Sequence, residues 1–225
     1  MANKNLKNIK SPAIHKRKRT RRKTIRAFAG ESAGRAVGPL TPGCEIYGFT
    51  KGQFSLIDLI EHCLTCTGPA DVFIATWSAA AGDIKRAHKF LSNGRIRSLR
   101  FLVDYSFKSR KPEFCQELLA TFGPDAVRVT VTHAKYVLIR NASWNLVIRT
   151  SMNLNYNPRF ENFEISDDIA FAEFQQAIID EVWSGQDAAE GFEVRPQDNK
   201  EKFRKAFQKQ GSIFGETFND ARDLI

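Results

Sequence analysis

The chain has no run of 18 or more apolar residues, so it offers no membrane-spanning helix. Its start lacks the basic, apolar and small-residue succession of a secretory leader, and secretion is not expected. Cysteine is scarce. Cys44, Cys63, Cys66 and Cys115 are irregularly placed, which suits buried thiols in a reducing compartment rather than a disulfide framework. Cys63 and Cys66 form a CxxC beside His62, but a zinc site would need two more ligands at a matching spacing, and none is offered. The segment Leu56–Leu64 reads instead as an amphipathic helix carrying both thiols on or near its core side. No internal repeat is visible. Acidic residues are missing altogether from residues 1–30.

That acid-free stretch holds 11 of the 34 basic side chains, so the other 195 positions carry 23 basic against 25 acidic groups. The whole excess behind the net charge of +9 therefore sits in an N-terminal arm. Its centre, Lys16, Arg17, Lys18, Arg19, Arg21, Arg22 and Lys23, is too self-repelling and too poor in apolar residues to fold alone. A disordered basic arm attracts polyanions through counterion release from phosphates, which makes nucleic acid (DNA or RNA) the expected partner. A solubility tail, an import signal or presequence, and an anionic lipid surface are the alternatives. Residues 30–43, rich in Gly, Pro and Ala, read as a linker that closes the arm.

From Cys44 onward helix and strand patterns alternate. Helices are expected at about 53–66, 82–92 and 112–122, the last opened by Pro112 and stopped by Gly123-Pro124. Strands are expected at 72–77 and 99–103, then in close succession at 127–131, 134–139 and 146–150, with a hairpin turn at Arg140–Ser143. A last helix over about 170–183 carries Phe171, Phe174, Ile178, Val182 and Trp183 on roughly one face. This order indicates an α/β fold with a mixed β-sheet sandwiched by helices over residues 44–185. Residues 186–225 read as a charged helical extension.

His133 and Lys135 lie two apart on an expected strand, which would point both side chains to one face. Ser151 and Asn153, another pair two apart, begin 18 residues after His133 at a second strand end. An imidazole, an ammonium, a hydroxyl and a carboxamide together suit a phosphodiester. The cation and amide donors hold non-bridging oxygens while the imidazole attacks phosphorus. A carboxylate is then wanted to fix the imidazole tautomer, and Glu164 is preferred over Glu161.

His133-x-Lys135, Ser151-x-Asn153 and Glu164 resemble the signature of the phospholipase D superfamily, HxK(x4)D followed by GSxN. Asp71–Ser78 is similar to that family's first core strand, and Leu99–Asp104 to the strand after its first helix. The likeness is closest to the small bacterial endonucleases that carry one motif per chain and use no metal or cofactor. It implies a phospholipase D-like fold and a phosphodiesterase, as a nuclease, working through a phosphohistidine on His133. Lys135 and Asn153 would bind phosphate oxygens, Ser151 would assist them, and Glu164 would orient the histidine. Because two motifs build one site in that family, it also implies a homodimer with the site on the two-fold axis. A cytoplasmic, bacterial or phage-encoded protein would suit this form. The family's Asp falls on Arg140 here and its Gly on Thr150. These departures motivate the alternative of a catalytically degenerate, nucleic-acid-binding relative.

Overall fold

The computed structural model describes residues 22–27 and 31–188. The elements in chain order are β1 (Lys23–Arg26), α1 (Ala33–Val37), β2 (Glu45–Thr50), α2 (Leu56–Thr67), β3 (Ala70–Thr76), α3 (Ala81–Ser92), β4 (Ile96–Asp104), α4 (Phe107–Arg110), α5 (Pro112–Phe122), β5 (Val127–Thr130), β6 (Tyr136–Arg140), β7 (Asn145–Thr150), β8 (Glu161–Asp167) and α6 (Ile169–Gly185). The strands form one mixed sheet in the order β1-β2-β8-β7-β6-β3-β4-β5. β3, β4 and β5 run parallel, as do β1 and β2, while β2, β8, β7, β6 and β3 pair antiparallel in that order.

Side-chain alternation along each strand splits the core in two. Val72, Ile74, Val137, Ile139, Leu146, Ile148, Phe163 and Ile165 face a thick layer built by α1, α2, α3 and α5. Phe73, Ala75, Leu102, Leu138 and Val147 face α6, which buries Ala172, Ile179 and Val182 against them. A strand buried on both sides reads as a continuous apolar run, which is why β3 and β6 stand out in the sequence. Among the described residues no helix is long and apolar enough to cross a membrane.

Two expectations need correction. The arm and linker assigned to residues 1–43 contain part of the fold. β1 pairs with β2, placing Ile25 opposite Gly48, and Ala33, Val37 and Leu40 are buried in the larger core. Lys23 donates to the Val37 carbonyl at 2.6 Å, satisfying an acceptor at the end of α1. Lys16, Arg17, Lys18, Arg19 and Arg21 lie outside the described residues, as does the C-terminal extension beyond 188.

The second correction concerns His133 and Lys135, which do not share a strand. Thr132 N donates to the buried Asp104 carboxylate at 3.0 Å, and Ala134 N to Thr132 Oγ1 at 3.0 Å. These side-chain acceptors turn the backbone out of the ladder. Pairing with β3 resumes only at Tyr136 opposite Ala75.

Candidate active site

The antiparallel run brings one end of the sheet together. The carboxyl ends of β2, β3 and β7 and the starts of β6 and β8 all lie there, with the loop from β5 to β6 beside them. His133 and Lys135 sit on that loop, Ser151 just past β7, and Glu161 at the head of β8.

His133 is exposed, with its ring centroid 5.5 Å from that of Trp77. Lys135 Nζ lies 3.4 Å from His133 Nδ1 and 3.2 Å from the His133 carbonyl oxygen. A lysine ammonium can only donate, so in this arrangement Nδ1 accepts and a neutral imidazole carries its proton on Nε2. Burial pushes the Lys135 ammonium below the usual lysine range, against the pull of Glu161. Ser151 Oγ donates to Glu161 Oε2 and accepts from Asn162 N at 2.9 Å, so both its hydrogen-bonding roles are fixed by β8. The electrostatic partner of Lys135 is thus the carboxylate that receives the Ser151 hydroxyl.

Glu164 lies on the wall of the same cleft as Lys135 and Ser151, but it is engaged by arginines. It is one of the few buried charged residues, and its carboxylate meets Arg149 at 2.5 Å and Arg22 at 3.3 Å. Glu161 and Glu164 differ by an odd number of positions on β8, so they leave opposite faces of the sheet. Arg22 also pairs with Glu45 at 2.5 Å, and the hydrogen bond to Glu45 leads in raising the guanidinium's affinity for its proton. The two described residues of the basic run, Arg22 and Lys23, therefore both have partners inside the fold.

A cleft of about 650 Å³ opens beside this group between the sheet end and α6; Lys135, Arg149, Ser151, Glu164, Gln175 and Ile178 are among its walls. Asn153 lies behind it, beside a cavity of about 10 Å³ that Glu161 also lines, and its Oδ1 is buried without a protein donor. The structure thus joins His133 to Lys135 directly and Lys135 to Ser151 through Glu161. Asn153 adjoins the group, while Glu164 belongs to an arginine pair. Among the described residues no three His, Cys, Asp or Glu side chains gather in a metal-ligating group.

Asp104 was missed in the sequence as a site residue. It ends β4 and is 6% exposed, accepting from Ser106 N at 2.9 Å as well as from Thr132 N. It is a positioning residue for the loop that carries His133. An acid closing an apolar strand is its only sequence signal. Thr76, at the end of β3, does similar work for the loop after Asn153. Its Oγ1 donates to the Ser78 carbonyl at 2.7 Å and accepts from Leu154 N at 3.1 Å.

Arg140 and Thr150 have local roles. Arg140 donates from Nε to Asn145 Oδ1 at 3.0 Å, at the end of β6 remote from Lys135. Thr150 Oγ1 donates to the Asn162 carbonyl at 2.8 Å and accepts from Met152 N at 2.9 Å, tying the strand end down. No family model matches the chain, and no curated protein matches it.

Proposed function

We propose that the chain is a phosphodiesterase of the phospholipase D type, acting as a nuclease that uses no metal, with a half-site built on His133, Lys135, Ser151 and Asn153. The observation that carries this reading is the pairing of an exposed imidazole with a lysine ammonium at 3.4 Å, beside an anchored serine and an open cleft. An ammonium and hydroxyl or amide donors suit the charge of a phosphodiester, and an adjacent unhindered imidazole is a competent nucleophile toward phosphorus.

An arriving phosphate draws the Lys135 ammonium off Nδ1. The ring can then hold its proton on Nδ1 and present the Nε2 lone pair. Nε2 attacks phosphorus, an N–P bond forms, and the P–O bond to the leaving group breaks. The departing oxygen takes a proton from a second histidine in its imidazolium form, and the neutral imidazole so produced deprotonates the water that cleaves the N–P bond. Among the described residues the other histidines are committed to the helical layer. His62 Nε2 donates to the Gly38 carbonyl at 2.8 Å, and His88 packs edge-on against Phe122. The second imidazole is assigned to His133 of a second copy, as the resemblance to single-motif members of the phospholipase D superfamily implies.

The test is cleavage of DNA and RNA in excess EDTA. Wild-type protein is expected to turn over and to yield an acid-labile, base-stable phosphohistidine with labelled substrate. His133→Ala is expected to do neither, and unchanged cleavage by that variant would sink the reading. A second reading, a catalytically degenerate nucleic-acid binder, is favoured by one observation. The carboxylate expected to orient His133, Glu164, is held by Arg149 and Arg22. That reading requires tight, salt-sensitive binding with no turnover.

A further inference from the structure

Among the described residues, the most exposed large hydrophobic side chains are Tyr156 at 65%, Phe160 at 64% and Ile169 at 60%. Single exposed apolar residues are ordinary surface features. Two aromatics on one short loop beside a candidate site are not. That loop connects Asn153 to Glu161, and both its ends are pinned. Leu154 is fully buried and exchanges backbone hydrogen bonds with the chain after β3, donating to the Ser78 carbonyl at 3.1 Å and accepting from Ala80 N at 2.9 Å. At the other end Glu161 and Asn162 hold Ser151.

The middle of the loop rests on the turn after β2. Gly52 has φ of 77°, and a Cβ there would lie 2.7 Å from Pro158 Cα, so only glycine permits this approach. The loop is thus seated against the body, with the Tyr156 hydroxyl near Gly52, while Tyr156 and Phe160 both stay more than half exposed. Phe160 lies nearly parallel to Phe49, with centroids 4.9 Å apart at 14°, and Phe49 in turn meets Tyr47 edge-on at 5.2 Å. One face of Phe160 is backed by a ring, and the side chain remains 64% exposed, which leaves area for a further ring to stack. Exposed cations flank it, Arg159 on the same loop and Lys51 on the turn beneath.

We propose that Phe160 on Phe49, together with Tyr156, is a stacking platform for unpaired nucleobases next to the phosphate held by the His133 group, and that the substrate is single-stranded nucleic acid. The proposal rests on the nuclease reading and narrows it. In a duplex the base faces are covered by their neighbours, so an external ring can take only a base that is free to leave the stack. The flanking Lys51 and Arg159 match the phosphates on either side of such a base. A flat ring backed by a parallel ring matches a base plane better than it matches mobile acyl chains.

The experiment measures anisotropy of a short labelled oligo(dT) strand and of a duplex of equal length, using full-length protein and variants. Both rings are more than half exposed, so Phe160→Ala and Tyr156→Ala are expected to fold with unchanged unfolding midpoints. Each should weaken strand binding about tenfold, with duplex binding altered by less than about twofold. Phe160→Trp should retain strand binding, whereas Phe160→Leu, apolar but without a π face, should lose it like alanine. Strand and duplex affinities that are equal and unmoved in the double variant would overturn the platform. So would a shift from dimer to monomer in sedimentation of that variant, which would make the rings a contact between copies. Loss of binding to phosphatidylglycerol vesicles with strand binding intact would assign the rings to a membrane surface. Ring-dependent strand binding by a protein that never cleaves would leave the platform standing and remove the nuclease reading. Cleavage that needs His133 but ignores the rings would do the reverse.

Discussion

Two carboxylates three residues apart on β8 compete for one role, and their surroundings separate them. Glu161 accepts the Ser151 hydroxyl and acts electrostatically on Lys135. Glu164 is 9% exposed and lies against two guanidiniums, where loss of its charge would leave Arg149 and Arg22 facing each other across a gap. The two guanidiniums are about half exposed, so the cost of that change comes from two like charges left to repel each other across a neutral amide. Glu161→Gln is therefore expected to lower turnover by on the order of 10²-fold with little change in unfolding midpoint, through misplacement of Ser151 and Lys135. Glu164→Gln is expected to show mainly a lower unfolding midpoint. Parallel kinetics and thermal unfolding of the two variants check this. Abolished turnover with unchanged stability in Glu164→Gln would give that residue the histidine-orienting role that the motif spacing implies.

Gly48, in the middle of β2, shows how packing between elements sets a residue. A Cβ there would lie 2.5 Å from the Phe163 ring, inside the core, and 2.6 Å from Cγ1 of Ile25, which packs against it half-buried. Gly48→Ala should destabilise the fold by about 1–3 kcal/mol in urea unfolding, because β1 or β8 must shift to admit a methyl group. The same glycine explains why β2 was not legible. Its inward positions are Ile46, Gly48 and Thr50 while its outward ones include Tyr47 and Phe49, so the usual apolar-in pattern is inverted. β3, β6 and β7 were legible because burial on both faces leaves unbroken apolar runs, and α5 because Pro112 and Gly123 mark its ends. The site divided in the same way. Spacing located Ser151 at a strand end, but the turn that lifts His133 out of β6 depends on Asp104, which is 29 positions away in the chain. At the start of α3, Asp83 is 8% exposed and its Oδ2 has no protein donor. Burial pushes its carboxyl from 3.8 up to about 6, with Arg86 opposing and Asp58 adding to the rise. The folded state then holds the proton more tightly than the unfolded chain. Its contribution is fully present below about pH 4 and is lost as pH rises through about 6, a change on the order of 2 kcal/mol. Subtracting the urea stability of Asp83→Asn from that of wild type should isolate this fall, since the variant keeps every other carboxylate. A difference flat from acid to neutral pH would mean that the carboxyl is solvated.

At the scale of the whole molecule the charge is divided unevenly along the chain. Residues 1–21 hold 8 of the 34 basic side chains, so residues 22–225 carry 26 basic against 25 acidic groups and are nearly neutral. Arg22 and Lys23 bind Glu45, Glu164 and the Val37 carbonyl, so they belong to the folded body. Under the proposed function, long-range attraction of a polyanion would fall to residues 1–21, and local selection to the cleft and the aromatic loop. Counterion release predicts that the slope of log affinity against log salt scales with the phosphates contacted, by about 0.9 per contact on a duplex and about 0.7 on a single strand. Deleting residues 1–21 is expected to flatten that slope by several units and weaken binding at low salt, while the unfolding midpoint and the preference for single strands stay unchanged. A deletion carried through residue 30 would remove β1 and uncover Gly48 and Phe163, so its loss of binding would report unfolding instead. Titrations of both substrates at several salt concentrations, with wild type and the shorter deletion, decide the matter. An unchanged slope would place the phosphate contacts on the folded body and leave the arm without a part in binding.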